Sequence, residues 1–150
     1  MSMTAPSEAS LKGIPIREGL FTLPDESHEK AHLIGSRCPL CGQISFPRRS
    51  ICAKCLSPDL EETPLSGKGR IYTYTVIGYP APGLEAPYAV AYIDLPEGVR
   101  VFSILTGWSR QTLEPGTEVE LVIDKFREDE EGAAILTYKF RPVRPQGKIP

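Results

Sequence analysis

Histidine is scarce in this sequence. The 150-residue chain holds only two, His28 and His32. Catalytic sites of the Ser–His–Asp or Cys–His kind need a histidine base beside a nucleophile. Both histidines fall in one short motif, so none is left over for such a site. We therefore expect a binding module rather than a free-standing enzyme.

That motif, His28-Glu29-Lys30-Ala31-His32, matches the H-E-x-x-H pattern of zinc proteases. A working motif needs a helix that directs both imidazoles to one metal, a third ligand and a peptide cleft. The longer form of the pattern places its third ligand at Cys38, which already belongs to a cysteine pair, and only 27 residues precede His28. The sequence disfavours a metalloprotease and predicts instead a short solvated helix from Asp25 to about Leu33.

Long apolar runs and a strong net charge are also missing. No run approaches the roughly 20 apolar residues of a membrane span. The start MSMTAPSEASLKG lacks the basic region and apolar core of a secretory signal. A net charge of -2 gives no whole-chain attraction to nucleic acid or to an anionic membrane. We expect a cytoplasmic chain without a membrane partner, whose cysteines are reduced.

What the sequence does have is four cysteines in two close pairs. Cys38-Pro39-Leu40-Cys41 and Cys52-Ala53-Lys54-Cys55 are both C-x-x-C turns, with ten residues between them. Each turn puts two thiolates on one side of a tight loop, and two facing turns complete a tetrahedral site that suits Zn²⁺ and leaves no open coordination position. The expected ligands of this structural zinc are Cys38, Cys41, Cys52 and Cys55. Disulfides, a redox dithiol or rubredoxin-like iron are the alternatives.

From residue 67 onward the apolar pattern has a period of two, which is typical of strands. Runs rich in Tyr, Val and Ile, separated by turn residues, predict five strands. They span residues 69–79, 87–95, 99–107, 117–126 and 133–140. Five short strands without a long helix favour a five-stranded OB-fold barrel. A small β-sandwich is the alternative.

The chain is therefore predicted to be mainly β and to have four parts. They are a flexible N-terminal arm (1–17), a short helical segment with a rubredoxin-like zinc ribbon (18–62), the OB-fold barrel (63–142) and a C-terminal tail (143–150). Gly67-Lys68-Gly69 is too short for a phosphate-binding loop and precedes a strand rather than a helix. We interpret it as a flexible hinge between ribbon and barrel.

Charge is distributed unevenly along the chain. Cations outnumber acids between residues 37 and 70, whereas acids concentrate at 114–131. The cations of the first segment are Arg37, Arg48, Arg49, Lys54, Lys68 and Arg70. They predict either an anion site for phosphates or a solvated surface of mixed charge. The aromatic side chains of the strand region likewise suit either an exposed barrel face or its core.

These features together resemble a known family. The ribbon RCPLCGQISFPRRSICAKC, with Phe46-Pro47-Arg48 between its cysteine pairs, is followed by Gly-x-Gly-x-Ile-x-x-x-Thr-Val at 67–76 and then by a barrel. Over about residues 20–142 the chain resembles the small zinc-ribbon/OB-fold proteins associated with acyl-CoA metabolism. The second knuckle, CAKCL, departs from the family because it lacks the proline and glycine often found there.

The resemblance implies a catalytic partner. Members are accessory subunits of thiolase-like or hydratase-like acyl-CoA enzymes, and the chain is similar to the small subunit of the thiolase for benzoylsuccinyl-CoA in anaerobic toluene degradation. We expect a non-catalytic, zinc-binding subunit that helps bind CoA or shape the partner's active site. The candidate contacts to CoA phosphates are Arg48, Arg49, Lys54, Lys68 and Arg70. The alternative is a module that binds single-stranded nucleic acid, which the acidic balance disfavours.

Overall fold

The computed structural model describes residues 13–23 and 30–143, and within them the regular elements are all strands. They are β1 (Ile14–Pro15), β2 (Ile34–Arg37), β3 (Ile44–Ser45), β4 (Glu61–Pro64), β5 (Lys68–Ile77), β6 (Tyr88–Asp94), β7 (Arg100–Leu105), β8 (Glu118–Glu128) and β9 (Ala134–Pro142). In these described ranges, no helix has the length and apolar character needed to cross a membrane.

The ribbon is a three-stranded antiparallel sheet in the order β3-β2-β4. β2 pairs with β4 from Ile34 opposite Pro64 to Arg37 opposite Glu61. The first cysteine pair lies in the turn between β2 and β3, and the second lies between β3 and β4. This short sheet therefore carries both C-x-x-C turns.

The barrel is formed by β5 to β9. Within the barrel each strand pairs with two others, in the order β5-β6-β7-β9-β8 and back to β5. All pairs are antiparallel except β7–β9, which is parallel and rests on a single residue pair, Leu105 opposite Phe140. This closed five-stranded arrangement confirms the predicted OB-fold barrel and excludes the β-sandwich.

Alternation along the strands fills the barrel. In β6, Ala89, Ala91 and Ile93 are buried while the residues between them are partly or fully exposed. Leu136 and Phe140 of β9 are completely buried, as is Leu33 from the segment before β2. The period of two read from the sequence is thus the inward–outward alternation of a barrel wall.

The segment predicted to be a hinge is instead the start of the barrel. Lys68 is the first residue of β5, and Gly69 pairs with Val119 of β8. A Cβ at Gly69 would lie 2.6 Å from the carbonyl oxygen of Asp94, whereas one at Gly67 would meet only Leu121, at 3.9 Å. The second glycine of the motif is therefore required by a close backbone approach, not by flexibility.

The predicted helix from Asp25 to Leu33 is not supported. Residues 24–29 lie outside the described part of the chain, and residues 30–33 are not helical. The Thr22 N–H donates to the His32 carbonyl at 2.9 Å, and Phe21 forms an antiparallel bridge with Leu33. Burial of Leu33 in the core favours this pairing over a solvated helix. His32, the second histidine of the H-E-x-x-H motif, therefore does not lie on the helix that a zinc protease needs.

The segment predicted to be a flexible arm also contributes a strand. Ile14 and Pro15 form β1, parallel to β9 and opposite Ile135 and Leu136. Residues 1–12 of the predicted arm and residues 144–150 of the predicted tail lie outside the described ranges.

Aromatic rings join the ribbon to the barrel. Phe46, between the two cysteine pairs, meets Tyr138 of β9 edge to face at 5.6 Å, and Phe21 meets the same ring at 6.4 Å. The Tyr138 hydroxyl donates to the Phe102 carbonyl at 3.0 Å. Phe46 of the family-like Phe-Pro-Arg stretch is thus part of the packing that fixes the ribbon on the barrel.

Candidate metal centre and cation surfaces

The two C-x-x-C turns have the same backbone geometry. In the first, Gly42 N–H donates to the Cys38 carbonyl at 2.8 Å, and in the second, Leu56 N–H donates to the Cys52 carbonyl at 2.9 Å. Gly42 and Leu56 both have positive φ, 80° and 66°. The tight turn needs this left-handed residue after its second cysteine, so the second knuckle keeps the fold of the first without a glycine.

These turns bring the four cysteines together. All four Sγ atoms lie within 4.8 Å of one another. The Cys38–Cys55 and Cys41–Cys52 Sγ distances are 3.4 and 3.5 Å. Four thiolates around a tetrahedral Zn²⁺ at about 2.3 Å would lie about 3.8 Å apart. The donor set and its spacing therefore fit one tetrahedral metal ion with thiolate ligands.

The turns also favour thiolates. The backbone hydrogen bond from Cys41 lowers the pKa of Cys38, and backbone N–H donors, that of Cys55 first, lower the pKa of Cys52 to about 6. A backbone hydrogen bond from Ser57 lowers the pKa of Cys55, but the three other thiols and burial outweigh it and raise that pKa to about 12. Four clustered thiolates repel one another, and a divalent cation at their centre favours the ionised form of all four.

Two of the predicted phosphate contacts, Arg48 and Arg49, line one cavity of about 290 Å³ together with Glu61 and Glu62. The Arg48 guanidinium is paired with the Glu62 carboxylate and packs so closely over Gly19 that a Cβ there would clash with it. Arg48 therefore ties the ribbon to the N-terminal segment. The two acids leave this cavity without excess positive charge.

Lys68 and Arg70 line a separate and larger cleft of about 680 Å³ between β5, β6 and the loop before β8. Arg70 donates to the Gly116 carbonyl at 3.1 Å and pairs with Glu118 at 3.3 Å. Lys54 lies in the second knuckle and lines neither cavity. The structure thus divides the five predicted contacts among three places instead of one basic stripe.

Comparison with known proteins decides the family. Residues 30–61 match the family described as ChsH2, rubredoxin-like zinc ribbon domain, and residues 62–124 match ChsH2, C-terminal OB-fold domain. A DUF35 domain-containing scaffold protein of Methanothermobacter thermautotrophicus is 42% identical over 118 residues, which cover 76% of this chain and 89% of the relative. The chain belongs to the DUF35 family of ChsH2-type proteins.

Two other relatives have names that point to enzyme complexes. The benzoylsuccinyl-CoA thiolase subunit BbsA of Thauera aromatica is 37% identical over 112 residues, covering 75% of this chain and 77% of that protein. A solved structure described as Ltp2-ChsH2(DUF35) aldolase matches with a TM-score of 0.62 at 32% identity, over 74% of this chain and 84% of that chain. The family resemblance inferred from the sequence is confirmed.

One feature of this DUF35 chain was missed by sequence reasoning. Glu118, Arg70, Asp94 and Arg100 face one another on four adjacent strands, β8, β5, β6 and β7. Arg100 binds both oxygens of Asp94, at 2.6 and 3.1 Å, which raises the pKa of Arg100. Counting charges along the chain cannot reveal such a row, because it depends on strand register.

Proposed function

We propose that the chain is a cytoplasmic, non-catalytic, zinc-binding accessory subunit of a thiolase-like acyl-CoA enzyme. The observation that carries this proposal is the 37% identity to a benzoylsuccinyl-CoA thiolase subunit over 77% of that subunit's length. Benzoylsuccinyl-CoA thiolase is the specific form of the hypothesis. In either form the catalytic residues belong to the partner chain.

The zinc has a structural role in this proposal. Cys38, Cys41, Cys52 and Cys55 would hold it, and their mutual distances support a single shared ion. Four protein ligands leave no position for a water or substrate, so the ion cross-links the ribbon and does not activate a nucleophile. Rubredoxin-like iron has the same ligand set. Zinc gives a colourless protein and iron a coloured one, so metal analysis with a visible spectrum separates them.

The chain also contributes cations to CoA in this proposal. The 680 Å³ cleft at Lys68 and Arg70 is the larger of the two candidate sites. Asp94 and Glu118 also line it, and of its two cations only Arg70 is in an ion pair. Among the described residues, the ion pairs include Arg48 and Arg70 but not Arg49, Lys54 or Lys68. An ammonium without an ion-pair partner, such as that of Lys68, can bind a phosphate without first breaking a salt bridge to a carboxylate.

The subunit role is tested by affinity purification of the tagged chain from its native host, with mass spectrometry of the co-eluting proteins. The proposal expects a thiolase-like acyl-CoA enzyme in near-stoichiometric amount. Recovery of nucleic acid and its processing proteins, with no acyl-CoA enzyme, would instead support the nucleic-acid hypothesis. Binding to oligonucleotides that weakens steeply with salt would point the same way.

CoA contact needs a separate test on the assembled complex. Calorimetry would compare Lys68→Ala, in the large cleft, with Arg49→Ala, in the ribbon cavity. Arg37→Ala is the matched control, since it removes one ribbon cation that is paired with Glu61 at 3.1 Å and lies outside the candidate set. Loss of a charge-assisted phosphate contact raises the dissociation constant about tenfold. If neither variant differs from the control, CoA does not contact these cations, and the subunit role still stands.

A further inference from the structure

The outer surface of β5, β6 and β7 has exposed aromatic side chains that nothing in the described part of the chain covers. Tyr92 and Phe102 are cross-strand partners whose rings meet edge to face at 5.2 Å. They are 45% and 50% exposed, and Tyr72 nearby is 52% exposed. Single exposed apolar residues are normal, whereas contiguous exposed apolar patches mark interaction sites.

Strand register extends this group into a continuous surface. Beside the Tyr92–Phe102 pair, Val90 lies opposite Ile104 on the same two strands. The Arg100 guanidinium lies 3.4 Å from the centre of the Tyr72 ring. We call this set the aromatic face; its members are Tyr72, Val90, Tyr92, Arg100, Phe102 and Ile104. From Phe102 and Ile104 a groove of about 250 Å³ continues the surface to Ile16.

The charges that border the aromatic face identify the kind of partner. The row Glu118, Arg70, Asp94, Arg100 has two acids and two cations, and its members form the Arg70–Glu118 and Arg100–Asp94 ion pairs. Single-stranded nucleic acid binds aromatic strands that lie in a positively charged groove. Here both cations of the row are already paired with carboxylates, so the complementary surface is apolar and carries little net charge.

From this we propose that the aromatic face is the docking surface for the catalytic protein subunit of the complex. Tyr, Phe and Arg are enriched at the centres of protein interfaces, and Tyr and Arg are among the residues whose removal weakens binding most. The partner's surface is a neutral apolar patch, with a side chain that enters the groove beside Phe102. This inference rests on the proposed accessory role, which names the partner.

The test measures binding of the purified chain to the thiolase-like chain recovered with it from the host. The variant is Tyr92→Thr/Phe102→Thr, which removes both rings and keeps residues that favour strands. The matched control is Ile14→Thr, which replaces a side chain of the same 50% exposure on β1. We expect the double variant to bind at least about tenfold more weakly, and the control to bind like wild type. Zinc content should be unchanged in both, and the double variant should have a slightly lower Tm because it loses the cross-strand ring contact.

The possible outcomes separate this inference from the proposed function. If the thiolase-like chain is recovered but the double variant binds it normally, the docking assignment is wrong and the accessory role stands. If no acyl-CoA enzyme is recovered at all, both fail. If the wild-type chain forms a dimer and the double variant does not, the aromatic face binds a second copy of the chain instead. If the wild-type chain binds oligonucleotides and the double variant does not, the face binds nucleic acid instead.

If the double variant does not fold, hydroxyl-radical footprinting of the wild-type complex is the test. Tyr92 and Phe102 that are unprotected in the complex would overturn the proposal.

Discussion

Leu56 occupies in the second knuckle the position that Gly42 occupies in the first. Both residues follow the second cysteine of a C-x-x-C turn, both donate their N–H to the carbonyl of its first cysteine, and both have positive φ. The left-handed conformation suits glycine but brings the Cβ of any other residue close to its own backbone. The second knuckle, CAKCL, therefore departs from the family pattern in its residue at position 56 but keeps the same turn geometry.

Leu56→Gly should stabilise the protein. The Leu56 side chain is 73% exposed, so its removal loses little burial, while relief of the strained φ contributes about 1 kcal/mol. Thermal unfolding at fixed zinc concentration measures the change as a higher Tm. Leu40→Gly is the control, because Leu40 is 78% exposed in the other knuckle and is absent from the positive-φ residues. An equal or lower Tm for Leu56→Gly, relative to wild type, would refute the strain argument.

Removal of one thiolate should abolish metal binding. Cys52→Ser leaves three sulfur ligands, and because the ribbon has little core of its own, we expect loss of zinc and a lower Tm. Elemental analysis of the purified variant measures the bound metal. Ser57→Ala, which changes a hydroxyl next to the same knuckle, should retain it. Stoichiometric zinc in Cys52→Ser would show that the four-cysteine site is not the zinc site.

Acid should release the metal as well. The pKa of Cys52 is lowered from its ordinary 9.0 to about 6. A depressed pKa stabilises the thiolate above it, and this contribution is lost as the pH falls through about 6. Because zinc binding displaces the thiol protons, we expect the dissociation constant for zinc, measured by competition with a colorimetric chelator, to rise more steeply with falling pH below about 6, where Cys52 of the metal-free protein also binds a proton. A dissociation constant that does not change between pH 8 and pH 5 would contradict this assignment.

Several parts of the structure were readable from the sequence because they depend on local pattern. The alternation in β6, where Ala89, Ala91 and Ile93 point inward, is visible as a period of two. The cysteine spacing likewise predicted which four thiols would meet. Both signals lie within short stretches, where neighbouring residues in sequence are also neighbours in space.

Other parts could not be read because they depend on partners far along the chain. The predicted helix was wrong at its described end because Leu33 pairs with Phe21 and is buried in the core. The charge count over residues 37–70 did not include the partner of Arg70, since Glu118 lies 48 residues away in the sequence. β1 has only two residues, and its pairing with β9 spans most of the chain. Tertiary contacts of this kind leave no periodic signal.

Gly69→Ala should destabilise the barrel. The added Cβ would lie 2.6 Å from the Asp94 carbonyl oxygen and 2.8 Å from a methyl of Ile93, so the β5–β6 pair must separate. Overpacking of this kind costs about 1–3 kcal/mol. Chemical denaturation provides the measurement, with Gly78→Ala as control because a Cβ there meets nothing within 4 Å. If both variants unfold at the same denaturant concentration, Gly69 is not needed for the close approach.

Tyr138→Phe should weaken the contact between β9 and β7 of the barrel and change the pH dependence of stability. The variant keeps the ring that meets Phe46 but loses the hydrogen bond to the Phe102 carbonyl, worth about 1 kcal/mol. Burial raises the pKa of Tyr138 above its ordinary 10.0. The neutral phenol is therefore favoured in the folded state, and its contribution is complete below pH 10 and is lost as the pH rises through the folded pKa. Denaturation is measured at pH 8 and at pH 11, and the stability difference between wild type and Tyr138→Phe should be smaller at pH 11. Tyr79→Phe, at a 78% exposed position, is the control and should have the stability of wild type at both pH values. A difference that stays constant with pH would mean that the Tyr138 hydroxyl titrates in the folded protein as it does in the unfolded chain.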